Sequence, residues 1–194
     1  MTTTESPAAI TRTVDGVELP IAGTYQIDAS HTEVSVVARH LVFTKVRARF
    51  PEVRGTVVVA EDPSGSTASV EIGATSVDSG DEARDTHLRS ADFFDVETHP
   101  AITFQSTGLR LDGVEFVLDG DLSIRGVTRP VSLKSEYLGA VDDPWGGRRI
   151  AFTASATLDR EDWGLTWNVA LEAGGLLVGK TATIEIDAEL VHQG

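Results

Sequence analysis

Near the C-terminus, Gly174-Gly175-Leu176-Leu177-Val178-Gly179-Lys180-Thr181 has the spacing of a phosphate-binding loop: Gly, four residues, then Gly-Lys-Thr. Such a loop cradles phosphate where it leads from a strand into a helix, whose free N–H groups point at the anion. Here Thr181 opens a strictly alternating segment. Ala182, Ile184, Ile186, Ala188 and Leu190 fall on one parity, and Thr183, Glu185, Asp187 and Glu189 on the other. Period two is the signature of a strand with one buried face. The run is therefore a Gly-rich lead into the last strand, not a nucleotide site.

The five histidines, His31, His40, His87, His99 and His192, contain no close same-face pair of the metal-ligating kind, and no metal site is predicted. There is no Cys, which excludes disulfides and thiolate ligation. With 30 acidic residues, no acid/base pair can be singled out. No Gly-x-Ser-x-Gly nucleophile elbow occurs. No catalytic residue is assigned. The chemistry left open is binding, and it depends on what the strands enclose.

A chain of 194 residues with 41% hydrophobic composition suits one folded domain with a sizeable core. The net charge of −14 argues against nucleic-acid binding through phosphates and against docking on anionic membranes. No run approaches the ~20 apolar residues of a spanning helix, so no integral membrane segment is expected. The start, MTTTESPAAITRTVDG, lacks the basic and apolar regions of a signal peptide. A cytoplasmic location is the simplest expectation, unless a processed signal preceded this sequence. Residues 1–22 are expected to form an N-terminal extension, loose over roughly the first ten positions. A small hairpin around Asp15-Gly16 is the ordered alternative for its later part.

From residue 23 onward, short strands follow one another. Val114, Phe116, Leu118, Gly120, Leu122 and Ile124 share one parity. Arg125-Gly126-Val127-Thr128 fits a two-residue hairpin of type II′, which would set Leu122 opposite Val131, Gly120 opposite Leu133 and Phe116 opposite Tyr137. Ile150, Phe152, Ala154, Ala156 and Leu158 share another face. The exception to this texture is Ser76–Gln105. There, Ser79-Gly80-Asp81-Glu82 has capping-box spacing, Asp85 and Arg89 are four apart, and Phe93 and Phe94 stand together before His99-Pro100 restores an extended chain. The prediction is an all-β fold: a single antiparallel barrel of about eight strands, residues 23–194, with a short helical insertion around residues 79–95. Closure removes the exposed sheet edges.

A barrel of this size is either filled by its own side chains or holds one small ligand. Gly120, Ala154, Ala156, Ala182 and Ala188 on the inward parity leave space. Phe43, Phe50, Phe93, Phe94, Phe104, Phe116, Phe152, Trp163 and Trp167 are available to line it. Such an interior suits an elongated apolar ligand. Two other readings stay open: an enzyme acting on a small apolar substrate in the same cavity with His87 or His99 as base, and a filled barrel working through protein–protein contacts.

Four blocks, in order, resemble the YceI-like family. They are Asp28-Ala29-Ser30-His31-Thr32 with Val34, Val36 and His40; Arg84 to Asp95 with His99 to Phe104; Gly120 to Thr128; and Asp159 to Leu165 with the Gly-rich lead that follows. The resemblance implies a lipocalin-like barrel and binding of a polyisoprenoid, such as a prenyl phosphate or isoprenoid quinone, in an apolar tunnel, without a cofactor. On this sequence the implied tunnel contacts are Phe93, Phe94, Phe104, Phe116, Phe152, Trp163 and Leu165. Arg84, His87 and Arg89 lie in the same block and are candidate head-group contacts, or fasten the insertion to the barrel. Homodimers occur among relatives. Lys180 departs from the family, where an acidic residue is commoner.

Overall fold

The computed structural model describes residues 9–41, 43–171 and 176–194. Its strands are β1 (Thr11–Val14), β2 (Val17–Pro20), β3 (Gly23–Ile27), β4 (Glu33–His40), β5 (Thr44–Arg49), β6 (Val53–Val59), β7 (Thr67–Gly73), β8 (Ala101–Asp112), β9 (Glu115–Ile124), β10 (Val127–Asp142), β11 (Arg148–Asp159) and β12 (Val178–Gln193). One helix, α1 (Glu82–Arg89), lies between β7 and β8.

Eight antiparallel strands close into a barrel in the order β3, β6, β7, β8, β9, β10, β11, β12. Closure depends on the length of β12. One edge of it pairs with β11 from Asp159↔Thr181 to Arg149↔Val191. The other edge is shared, with β3 taking Leu190 to Gln193 and β4 taking Val178 to Asp187. The turn between β3 and β4 is set by Asp28, whose carboxylate accepts from the Ser30 N–H at 3.0 Å. β5 extends the β4 side and is joined to the insertion at Arg49↔Asp78. The all-β antiparallel barrel expected from the alternation, which the family resemblance implied to be lipocalin-like, is the architecture found.

The hairpin between β9 and β10 differs from expectation. Arg125 (φ 50°) and Gly126 (φ 72°) are both left-handed. They form a type I′ loop closed by Ile124 and Val127. The register moves by two residues: Leu122 faces Arg129, Gly120 faces Val131 and Phe116 faces Ser135. An even shift keeps every side chain on its predicted face. It also seats Pro130. Counting from the closing pair, Pro130↔Asp121 is a non-hydrogen-bonded pair, and pairing with β11 begins only at Lys134. The missing N–H costs no ladder bond.

The insertion is held otherwise than the sequence suggests. Asp81, not Ser79, caps α1, accepting from the Arg84 N–H at 2.9 Å. Ser79 instead donates its N–H and hydroxyl to Asp85, which is buried. Asp85 and Arg89 do not pair. Arg89 donates to the carbonyls of Thr75 and Val77, fastening the helix to the barrel end.

Two apolar clusters fill the two ends. The insertion end contains Phe50, Phe94, Phe104, Leu122, Trp163 and Leu165. The opposite end contains Leu19, Tyr25, Val59, Tyr137, Ile150 and Leu190. Leu19 comes from the β1–β2 hairpin, whose turn is Asp15-Gly16. That hairpin is tied down by Arg12, which donates to the Ala60 and Glu61 carbonyls and pairs with the Glu61 carboxylate at 2.8 Å. Residues 1–8 lie outside the described chain.

Candidate functional site

Between the two clusters runs a cavity of about 270 Å³, walled almost wholly by apolar side chains. That is near the lower end for ligand pockets. Its walls are the inward parities of β6 to β12, so the period-two patterning of the sequence builds it directly. Phe50, Phe94 and Leu165 line the insertion end, Phe104 and Ala154 the middle, and Phe116 and Phe152 the opposite end. Phe50 and Phe94 meet edge to face at 5.6 Å, as do Phe116 and Phe152 at 5.8 Å. The wall continues to Leu111 and Val114, both partly exposed, opposite Pro63, Ser66 and Thr67.

Four of the aromatic residues expected in the wall, Phe43, Phe93, Trp163 and Trp167, are elsewhere. Phe43 is 85% exposed at the β4–β5 turn. Phe93 points away from its neighbour Phe94 and packs against His87 at 5.0 Å and Trp167 at 5.4 Å. Trp163 is buried beside the cavity, its indole N–H donating to the Leu122 carbonyl at 3.0 Å. Adjacent residues of a turn project in different directions, so Phe93 and Phe94 cannot both face inward.

None of the candidate head-group residues lines the cavity. Arg84 donates to Ser79, and Arg89 to Thr75 and Val77. His87 contacts Asp92 at 3.0 Å and meets the Trp167 ring at 4.4 Å. These bonds hold the insertion together, the other role open to them. His99, the second candidate base, lies against Gly126, outside the cavity wall. Of the phosphate-loop-like run, Gly179 and Lys180 are strand residues of β12, and Lys180 pairs with Glu161 at 2.7 Å. Gly174 and Gly175 lie outside the described residues.

Two polar groups of the wall escaped the sequence reading. The Tyr137 hydroxyl and Nη2 of Arg160 are buried without a hydrogen-bond partner among the described residues. Burial pushes the Tyr137 phenol up to about 12, helped by the nearby Glu18 and Tyr25. Burial lowers the Arg160 pKa, opposed by Glu161 and Asp159. Tyr137 was legible as inward from its parity with Val131 and Leu133. Arg160 follows the end of a strand, where no periodicity reveals depth.

On the outer surface, Asp28, His31 and Glu189 bring three potential ligand atoms together. Arg149 already supplies the cation. Its guanidinium reaches Asp28 at 2.6 Å, Glu189 at 2.5 Å and Asp143 at 2.7 Å. Arg149 first, then Ser30 and His31, hold Asp28 far below the usual carboxylate range.

Residues 25–190 match the model of the YceI-like domain. The chain belongs to the YceI-like family. It is 38% identical over 148 residues to Protein YceI of Escherichia coli O157:H7, covering 75% of this chain and 78% of that protein. The same identity and coverage hold for a UPF0312 protein of Pseudomonas aeruginosa. Among solved structures, Burkholderia cenocepacia BcnA superposes with a TM-score of 0.72 at 18% identity, covering 84% of this chain and 98% of that one. A polyisoprenoid-binding domain from Saccharophagus degradans superposes with a TM-score of 0.64 at 17% identity, covering 87% and 98%. These two likenesses show a shared fold. Among the described residues of this YceI-like chain, no helix is long and apolar enough to cross a membrane.

Proposed function

We propose that the protein holds a long isoprenoid lipid, a prenyl phosphate or an isoprenoid quinone, inside the barrel without chemically altering it. The observation that carries this reading is the apolar cavity between the two core clusters, whose wall extends to the partly exposed Leu111 and Val114. Membership of the YceI-like family and the polyisoprenoid-binding description of the S. degradans domain support it. The energetics suffice. At ~0.8 kcal/mol per buried CH₂, ten such groups contribute about 8 kcal/mol against an association cost of at least ~4. The placement of His87 and His99 outside the cavity weighs against the enzymatic alternative.

The test is organic extraction of freshly purified protein with mass spectrometry, alongside native mass spectrometry. A prenyl lipid or quinone in stoichiometric amount is expected. Protein that is empty and takes up no added isoprenoid overturns the proposal and leaves the filled-barrel reading.

A further inference from the structure

Arg160 is the one buried basic side chain among the described residues, 6% exposed. It opens the 3-10 turn Arg160–Trp163 that follows β11, at the insertion end of the cavity, and it lines that cavity. Two parts of its guanidinium are occupied. Nε donates to the Gly179 carbonyl at 2.9 Å, and Nη1 donates to the Leu165 carbonyl. Nη2 has no partner among the described residues.

Among the described residues, no carboxylate is drawn to it. The adjacent Glu161 is held by Lys180 at 2.7 Å. The Asp159 carboxylate accepts from the Glu161 N–H at 3.0 Å, capping the turn. Yet a guanidinium stays charged at any pH a protein survives, and an unpaired charge in an apolar interior is costly. The two backbone carbonyls explain how the group is anchored. They leave Nη2, with both its N–H groups, and a full positive charge at the wall of a cavity lined mainly by apolar side chains.

We propose that Arg160 is the head-group receptor of this cavity and that it selects an anionic head, a phosphate or a carboxylate, over a neutral one. The inference rests on the lipid-binding reading above and deepens it. The fixed guanidinium would accept the anion at the insertion end, and the chain would extend past Phe104 toward Tyr137. The protein's net charge of −14 repels anions generally, so any preference for one must come from a local group.

Three probes with the same fifteen-carbon chain separate the sources: farnesyl monophosphate, farnesoic acid and farnesol. Each is titrated into the full chain by tryptophan fluorescence or calorimetry. At least one anion is expected to bind roughly tenfold more tightly than farnesol, as suits a desolvated charge-assisted contact, and the tighter anion names the source. In Arg160→Gln the preference should shrink to about twofold or less, because the anions lose more affinity than farnesol does. Arg160→Lys, which keeps the charge, should keep part of it. Circular dichroism checks the fold of each variant. Wild-type protein that binds farnesol as tightly as both anions overturns the proposal. So does a preference that survives intact in folded Arg160→Gln. If Arg160→Gln does not fold, Arg160→Lys decides, since an unchanged preference there overturns the role of the fork. Failure of all three probes to bind wild type removes the lipid reading itself, and the two failures are thereby told apart.

Discussion

Phe104 and Gly120 fit together as ring and gap across β8 and β9. A Cβ placed on Gly120 would collide with the edge of the Phe104 ring and lie 2.7 Å from the Gln105 carbonyl oxygen. The small residue does not leave empty space, as its inward parity suggested. The space is taken by a neighbour's ring.

Gly120→Ala should therefore destabilise the protein by about 1–3 kcal/mol through overpacking. Urea unfolding measures it. Phe104→Leu in the same chain should recover part of that loss, because it removes the ring edge that clashes. A Gly120→Ala variant as stable as wild type would mean the ring can move aside freely.

Ala154 and Ala156 are on the same face of β11, but only Ala154 lines the cavity; Ala156 is packed into the insertion-end core. Ala154→Trp should abolish isoprenoid uptake while the barrel still folds. Ala156→Trp should chiefly cost stability, by about 1–3 kcal/mol. Uptake by native mass spectrometry and melting by circular dichroism distinguish the two effects. Undiminished uptake in folded Ala154→Trp would place the ligand elsewhere.

Tyr137 gives an alkaline signature. Its folded pKa, pushed up to about 12 by burial, exceeds the ordinary value of 10. The folded state therefore resists losing this proton. Stability should be complete below pH 10 and fall as pH rises from there toward 12. Tyr25, also raised by burial, adds to the same decline. Tyr137→Phe should lessen the decline, and at pH 8 it should cost less than about 1 kcal/mol, because the hydroxyl has no partner to lose among the described residues. Denaturant titrations at pH 8 and pH 11 give both results.

Asp28 gives the acid counterpart. Its folded pKa is depressed by Arg149, so its contribution is present above about pH 4 and is lost as pH falls toward the much lower folded value. Asp28→Asn should flatten the acid side of the stability profile. Arg149→Met should lower the melting temperature at pH 7 more than Asp28→Asn does, because it leaves Asp28, Asp143 and Glu189 facing one another without their cation. Equal melting temperatures for the two variants would show that the cluster contributes little.

The sequence by itself determined strands, faces and family. Strict alternation through Val114–Ile124 and Ala182–Leu190 specifies one buried parity, and a closed sheet buries that parity while removing exposed edges. The inward positions of Phe116, Phe152 and Ala154 follow from period two alone. Tertiary structure decided what parity does not carry. A two-residue shift in the β9–β10 register leaves the apolar pattern unchanged, so the left-handed backbone of Arg125 and Gly126 had to choose between the alternatives. Phe43, Phe93 and Phe94 lie in turns, where side-chain direction depends on local backbone and not on a period. Arg160 is a charged residue just past a strand end, indistinguishable in sequence from a surface residue. Only the fold buries it, because the chain that follows crosses the barrel end and brings the Leu165 carbonyl onto its guanidinium, with Gly179 of β12 on the other side.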